Sequence, residues 1–174
     1  MTTSLRIAAL LAGHVLLAGV AAAEPPRQTI AVLPFDIIDT SGEPRDQSAD
    51  HARWLAALRS QVAHGLGDRG VYHVVDLAPV RDQVEAAFAR ERLHACNGCE
   101  RALGRKAGAD RVLVGWVKKV STLVMSFEAE VRDVETGRTV IHKSLDFRGD
   151  NDESWRRLGL YLVRRFEELP ADAR

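Results

Sequence analysis

Two kinds of hydrophobic pattern follow one another along the chain, and together they restrict the folds it can adopt. Apolar residues run almost continuously through residues 29–35 and again through 111–120, whereas residues 123–133 alternate between apolar and polar side chains. A continuous run indicates a strand covered by helices on both faces, and strict alternation indicates a half-buried antiparallel strand. The chain is therefore predicted to form a sheet that is parallel at its beginning and antiparallel at its end.

Segments with a helical spacing of apolar residues separate and follow these strands. Their apolar side chains recur every three to four positions, which places them on one face of a helix. Helices are predicted at residues 48–66, 79–88, 97–108 and 150–168, and two further strands at 71–77 and 139–147. The predicted fold class is α/β of the mixed α+β type: a single domain in the order β-α-β-α-α-β-β-β-α, with helices packed on a mixed five-stranded sheet.

The first 23 residues have the three parts of a secretory signal peptide. Arg6 is the only charged residue before Glu24, residues 7–20 form an apolar run, and three alanines end the segment. The run is shorter than the ~20 apolar residues that a transmembrane helix needs. We predict cleavage after Ala23, which leaves residues 24–174 as one α/β domain in the periplasm, without a membrane span.

Charge and motifs exclude several classes of function. The chain has 24 basic and 24 acidic side chains, and loss of Arg6 with the signal peptide leaves the domain slightly acidic. Such a domain exerts no long-range attraction on nucleic acid or anionic lipid. No glycine-rich phosphate loop follows a strand, and no serine lies in a nucleophile elbow. We therefore expect no nucleic-acid binding, no catalytic residues and no cofactor.

Cys96 and Cys99 are the most informative side chains. Two cysteines three residues apart at the start of a helix can reach the Cα separation of about 4.4–6.8 Å that a disulfide bond needs, and export takes them to an oxidising compartment. A structural disulfide bond is the leading interpretation. A redox-active dithiol is the alternative, since a helix N-terminus lowers the pKa of a thiol, although Glu100 adds a negative charge beside Cys99.

A metal site is a third interpretation of the same segment. Two thiolates and an imidazole can hold a soft metal such as Cu(I), and His94, Cys96 and Cys99 supply these groups. A closed zinc site normally needs four ligands, and the chain has no second cysteine pair. The metal interpretation therefore ranks below the disulfide bond.

Three charged residues form a candidate ligand rim. Asp36 follows the first predicted strand, and Lys118 and Lys119 lie near the end of a later one. Open α/β sheets bind ligands at the carboxyl ends of their strands, where these three side chains could meet. The alternative is that all three are solvated charges.

Several segments resemble known periplasmic proteins. Residues 30–35, 108–115 and 132–137 resemble the opening strand, the central helix-to-strand step and the late hairpin of the N-terminal domain of TolB and of the curli-secretion protein CsgG. Residues 96–99 and 151–155 resemble a narrower family of secreted proteins of unknown function, associated with periplasmic quinoprotein oxidation systems. The resemblance covers most of the domain, and it implies a domain that binds other proteins or assembles.

These observations lead to one main functional prediction and one alternative. We expect a non-enzymatic periplasmic accessory or adaptor protein that binds another periplasmic protein through its sheet edge or a helical face, in support of a quinoprotein oxidation system. A homo-oligomer is compatible with this prediction. The alternative is a thiol-disulfide or metal-handling protein that uses Cys96 and Cys99. An enzyme acting at the carboxyl edge of the sheet, through Asp36 and the two lysines, is a third and weaker hypothesis.

Overall fold

The computed structural model describes residues 27–170. The predicted signal peptide lies outside the described residues, as does its cleavage site after Ala23. Within residues 27–170, no helix combines the length and the apolar character that crossing a bilayer requires.

The described residues form six strands and four α-helices, in an order close to the predicted one. The strands are β1 (Thr29–Val32), β2 (Asp36–Asp39), β3 (His73–Val74), β4 (Arg111–Ser121), β5 (Val124–Asp133) and β6 (Thr139–Phe147). The helices are α1 (Ser48–Asp68), α2 (Arg81–Arg90), α3 (Cys99–Lys106) and α4 (Asp152–Glu167), and a 3₁₀ turn at Ala78–Val80 leads into α2.

All six strands belong to one mixed sheet. Its strand order is β3-β1-β4-β5-β6, and β2 also pairs with β4, beyond the end of β1. The pairs among β1 to β4 are parallel, whereas β4, β5 and β6 form an antiparallel meander. The predicted mixed α/β single domain is thus confirmed.

The sheet has six strands rather than five because β2 follows the first predicted strand, residues 29–35, as a separate strand. Pro34 lies between β1 and β2, and proline has no N–H group to donate to a sheet ladder. The strand predicted at residues 71–77 is also shorter than expected. The amides of Val71 and Tyr72 hydrogen-bond to the carbonyl oxygen of Leu66 at the end of α1, at 2.9 and 3.3 Å, so they do not take part in strand pairing.

Helices cover both faces of the parallel half of the sheet. Leu113 and Val117 of β4 pack with α1 and α4, whereas Val112 and Val114 pack with α2 and α3 on the opposite face. Because successive residues of a strand point to opposite faces, a strand buried on both sides must be apolar throughout. This explains the continuous apolar run at residues 111–120.

Only one face of the antiparallel half is covered by helices. Phe127 and Val131 of β5 pack beneath Trp155 and Leu162 of α4. On the other face, polar side chains of β5 and β6 alternate with these buried ones, and His142 of β6 is exposed. The predicted half-buried antiparallel pattern is therefore confirmed.

Candidate functional site

A disulfide bond joins Cys96 and Cys99 in the loop that leads into α3. The two Cα atoms are 5.7 Å apart, within the usual range for a disulfide bond. Gly98, at φ +91°, precedes the first helical residue, and no side chain caps the helix. A helix start at Asn97 is therefore wrong. The tight turn between the cysteines needs a left-handed residue, and glycine adopts that conformation without a Cβ clash.

The disulfide bond lies against a buried ion pair. The Sγ atom of Cys96 is 3.1 Å from the carboxylate of Glu100, whose residue is only 2% exposed. Arg132 of β5 pairs with Glu100 at 3.1 Å and donates to the carbonyl oxygen of His94 at 2.8 Å. Burial opposes the positive charge of Arg132, but hydrogen bonds to Glu130 and Glu100 outweigh it and raise the pKa of the guanidinium. The network holds the disulfide loop on the sheet.

The predicted metal triad is wrong in one member. Among residues 27–170, the group whose ligand atoms could meet around one ion is Cys96, Cys99 and Glu100, within 4.8 Å of one another. The imidazole of His94 instead stacks on the indole of Trp116, with ring centroids 4.3 Å apart and planes at 14°. Burial there lowers the pKa of His94. In the oxidised protein both sulfurs belong to the disulfide bond and are not available as thiolates.

The predicted rim of Asp36, Lys118 and Lys119 does not form. Asp36 pairs with Arg92 at 2.6 Å, and Lys118 pairs with Glu128 at 3.3 Å on the open face of the sheet. Lys119 follows Lys118 on β4 and therefore points to the opposite face, where its side chain is fully buried. Strand geometry therefore separates Lys119 from the other two, and Asp36 and Lys118 each pair with a different residue.

Lys119 is the centre of a buried charge cluster. Its Nζ atom lies 2.9 Å from Asp150, 3.0 Å from Glu43 and 3.3 Å from Asp39, and it donates to the amide oxygen of Gln47 at 2.7 Å. Burial alone would lower the pKa of this ammonium group, but the hydrogen bonds to Asp150 and Glu43 raise it above its usual value. Lys119 is therefore a buried permanent cation.

Asp150 connects this cluster to two helices. Its carboxylate lies 2.8 Å from Nε2 of His51 in α1 and accepts a hydrogen bond of 3.0 Å from the indole N–H of Trp155 in α4. Burial would raise the pKa of Asp150, but His51, Lys119 and Trp155 lower it below the usual value for Asp. The cluster joins the end of β4 to the starts of α1 and α4.

A second polar cluster lies on the open face of the antiparallel half. The carboxylate of Glu128 is 2.9 Å from Nε2 of His142 and accepts hydrogen bonds from Ser144 at 3.0 Å and from Lys118 at 3.3 Å. Burial would raise the pKa of Glu128, but these hydrogen bonds lower it. The cluster fixes polar side chains of β4, β5 and β6 in one layer.

β6 forms one edge of the sheet: it pairs with β5 on one side, and its outer side is open. It runs for nine residues, and no strand among the described residues pairs with its outer side. Its inner face is held by burial of Ile141 and Leu145 in the core that includes α4. The other face exposes His142, Ser144 and Asp146.

Three exposed apolar side chains lie beside the end of this edge. Val120, Leu123 and Val124, in the hairpin between β4 and β5, are 59%, 68% and 58% exposed. We call them the apolar hairpin tip. They line one depression together with Asp146 and Phe147 at the end of β6. The sequence patterns do not predict this surface, although Val120 and Leu123 lie on either side of residues 121–122, which separate the two predicted strands.

Comparison with protein families gives one match. The family described as "Protein of unknown function (DUF2380)" matches residues 28–166. None of the curated proteins matches the chain. The prediction of a family of unknown function is confirmed, whereas the resemblance to CsgG and to a secreted group stays a prediction.

Several solved structures are similar in fold. Lipoprotein GNA1162 from Neisseria meningitidis superposes with a TM-score of 0.53 at 19% identity, over 81% of this chain and 97% of that one. The hypothetical protein CT253 from Chlamydia trachomatis gives 0.50 at 14% identity, over 81% and 96%. At such identities the two structures show a shared fold alone. TolB from Acinetobacter baumannii gives 0.45 at 14% identity, over 82% of this chain and 28% of that one, and no property of TolB follows for this chain.

Proposed function

The chain belongs to the family described as "Protein of unknown function (DUF2380)", and we propose that it is a non-enzymatic protein of the cell envelope that acts by binding another envelope protein. One observation carries this proposal: the unpaired edge of β6 ends beside the apolar hairpin tip. Together these features offer backbone hydrogen bonds and an apolar contact to the same partner.

The edge of β6 can accept a strand from a partner. An unpaired edge exposes a row of N–H and C=O groups, and addition of a strand satisfies them. Ile141 and Leu145 are 6% and 8% exposed, so the core holds β6 in place before a partner arrives. A preformed edge lowers the ordering cost of binding.

The apolar hairpin tip adds an apolar contact, because exposure of its side chains to water is unfavourable and a partner would bury them. Clustered exposed apolar side chains on a soluble domain indicate an interaction surface, whereas scattered ones do not. Leu123 is the most exposed of the three at 68%. Burial of such side chains contributes about 25 cal/mol per Å² of apolar surface. The tip is therefore the part of the surface whose substitution should weaken binding most.

The envelope location rests on two supports. The N-terminal segment has the pattern of a signal peptide, and the similar structure from Neisseria meningitidis is described as a lipoprotein. The association with a quinoprotein oxidation system stays a prediction, because no residue described above favours it over another envelope pathway.

A thiol-disulfide or metal-handling role is the second candidate, favoured by the proximity of Cys96, Cys99 and Glu100. In thiol-disulfide exchange, an incoming thiolate would attack the sulfur of Cys99, since Cys96 is only 7% exposed. The attack would release Cys96 as a thiolate. That thiolate would form 3.1 Å from the carboxylate of Glu100, and a neighbouring negative charge disfavours it. We therefore propose that the bond is structural.

Affinity purification at native expression level tests the main proposal. The double variant Leu123→Asp, Val124→Asp is expected to lose a partner that the wild-type protein retains. Leu160→Asp is the matched control, because Leu160 is an exposed apolar residue of α4, at 46% exposure, away from the tip. Equal recovery of the partner by all three proteins, or recovery by none, would overturn the proposal.

A further inference from the structure

A crevice of about 690 Å³ opens at the carboxyl end of β1, between α1 and α2. β3 and β4 flank β1 on its two sides. The connection from β1 to β3 contains β2 and then α1 on one face of the sheet, and the connection from β3 to β4 contains α2 and α3 on the other face. The end of β1 is thus a topological switch point, where open α/β sheets form ligand crevices. Its volume is in the range of ligand pockets, roughly 300–1,000 Å³.

Apolar side chains form the middle of the crevice. Phe35 and Leu55 line it from the core, and Phe88 of α2 lines it while remaining 37% exposed. An exposed phenylalanine within a concave surface offers more apolar contact than one on a convex surface. The middle of the crevice therefore suits an apolar group of a ligand.

Arg59 marks the basic end of the crevice. Its Nε atom donates to the carbonyl oxygen of Val32, the last residue of β1, at 2.8 Å. Among residues 27–170, no carboxylate lies within 4.0 Å of its guanidinium nitrogens. The hydrogen bond from Nε therefore holds the guanidinium group in place, while its Nη atoms have no anionic partner among these residues. Burial lowers the pKa of Arg59, the direction expected for a partly buried cation without a carboxylate partner among the described residues.

The opposite end of the crevice is acidic. Asp39, Glu43 and Asp46 line it, and Lys119, which pairs with the first two, is buried behind them. Arg45 also lines this end and pairs with Asp50 at 3.5 Å. α1 begins at this end with Ser48, and Arg59 follows eleven residues later in the same helix. At a rise of about 1.5 Å per residue, Arg59 lies about 16 Å from Ser48 along the helix. An extended peptide covers that distance with about five residues.

We propose that this crevice binds the C-terminal residues of a polypeptide: the terminal carboxylate pairs with Arg59, an apolar last side chain packs on Phe35, Leu55 and Phe88, and a basic residue upstream lies at the acidic end. Guanidinium and carboxylate form paired, charge-assisted hydrogen bonds. A fatty acid would match Arg59 and the apolar middle, but it carries no group for the acidic end. This proposal goes beyond the proposed function, because it assigns a second surface that shares no residue with β6 or the apolar hairpin tip.

Peptide titration of the intact domain tests the proposal. The probe is acetyl-Lys-Ser-Ala-Ala-Phe with a free carboxylate, compared with its C-terminal amide, with a form in which Glu replaces the Lys, and with decanoate. We expect the Kd of the free acid to be about tenfold lower than that of the amide. The form with Glu in place of Lys should bind more weakly than the Lys form. Arg59→Met should abolish the difference between acid and amide. Arg157→Met, which alters an exposed arginine of α4, should preserve it.

A second variant keeps the test valid if Arg59→Met fails to fold. Phe88→Ala changes an exposed side chain, and it should weaken binding of acid and amide alike. Amide resonances of residues 33, 35–37, 52–59 and 88 should shift on titration, whereas those of β6 should not. Equal affinity for acid and amide, no binding of any peptide, or binding of decanoate with no binding of the peptide would each overturn the proposal. The variants of the apolar hairpin tip should bind the peptide normally, so failure here is distinct from failure of the partner proposal.

Discussion

The carboxylate of Asp150 and the ammonium group of Lys119 lie 2.9 Å apart, and neither side chain has any contact with solvent. A buried charge is costly unless it is paired and hydrogen-bonded. Here the pair joins the end of β4 to the residue that precedes the helix cap of α4, and Asp150 also reaches α1 through His51. The ion pair therefore fixes the relative positions of three elements at one end of the sheet.

Removal of Lys119 should destabilise the domain strongly. Lys119→Met keeps the volume of the side chain but leaves Asp150 buried without its cation, and such losses cost about 3–5 kcal/mol. Lys118→Met is the matched control, since Lys118 is half-exposed and Glu128 keeps its contacts with His142 and Ser144 without it. We expect it to cost about 1 kcal/mol or less. Urea unfolding of both variants measures the difference, and equal losses would contradict the role given to Lys119.

Acid should weaken the fold through Asp150. Its pKa in the folded domain is below the usual value, so its ionised form contributes stability above about pH 4, the unfolded value, and that stability is lost as the pH falls through the lower folded pKa. Asp150→Asn should reduce the slope of unfolding free energy against pH below about pH 4, by up to about 1.4 kcal/mol per pH unit. Urea unfolding between pH 2 and 6 measures both slopes. Parallel curves for the two proteins would show that Asp150 does not titrate with folding.

The disulfide bond should be inert and of modest energetic weight. A bond that closes so short a loop removes little chain entropy, so Cys96→Ser, Cys99→Ser should cost about 1–2 kcal/mol and should retain partner binding. The reduction potential should lie below about −300 mV, as for structural disulfide bonds. Thiol titration of the unfolded protein should find none without reductant and two with it. A potential well above that value, or loss of function in the double serine variant, would favour the redox alternative.

Two helical glycines should respond to alanine in opposite ways. A Cβ atom at Gly104 of α3 would lie 2.8 Å from Val134 and closer still to Val112, whereas one at Gly67 of α1 would meet only Val74, at 3.8 Å. Gly104→Ala should therefore cost about 1–3 kcal/mol through overpacking. Gly67→Ala should be neutral or stabilising by up to about 1 kcal/mol, because alanine favours the helix. Thermal unfolding of the two variants gives the comparison, and a stable Gly104→Ala protein would contradict the close approach of α3 to the sheet.

Local patterns explain which parts of this structure could be predicted from sequence. The continuous apolar runs and the alternation predict the strands. A strand buried on both faces is apolar at every position, and one buried on a single face is apolar at every second position. The disulfide bond is predictable for the same reason, since Cys96 and Cys99 are three residues apart. The burial of Lys119 is also predictable from the sequence. Lys119 occupies the same set of alternate positions in β4 as Leu113 and Val117, which both face α1 and α4.

The remaining features depend on residues that are distant in the chain. Nothing near Lys119 in sequence identifies Asp39, Glu43 or Asp150 as its partners. The metal triad does not form for a similar reason, because His94 stacks on Trp116 of β4, a contact that no spacing rule predicts. The rim does not form because a strand directs Lys118 and Lys119 to opposite faces, so the two lysines cannot meet Asp36 together.

Site-specific photo-crosslinking in living cells tests the central claim most directly. A photoreactive residue placed at Asp146, which is exposed on β6 beside the apolar hairpin tip, should yield one discrete adduct with another envelope protein. The same residue at Arg157 of α4, whose side chain is 74% exposed, should yield none. An adduct at Arg157 as strong as the one at Asp146, or no adduct at Asp146, would contradict the proposal that the β6 edge is the binding surface.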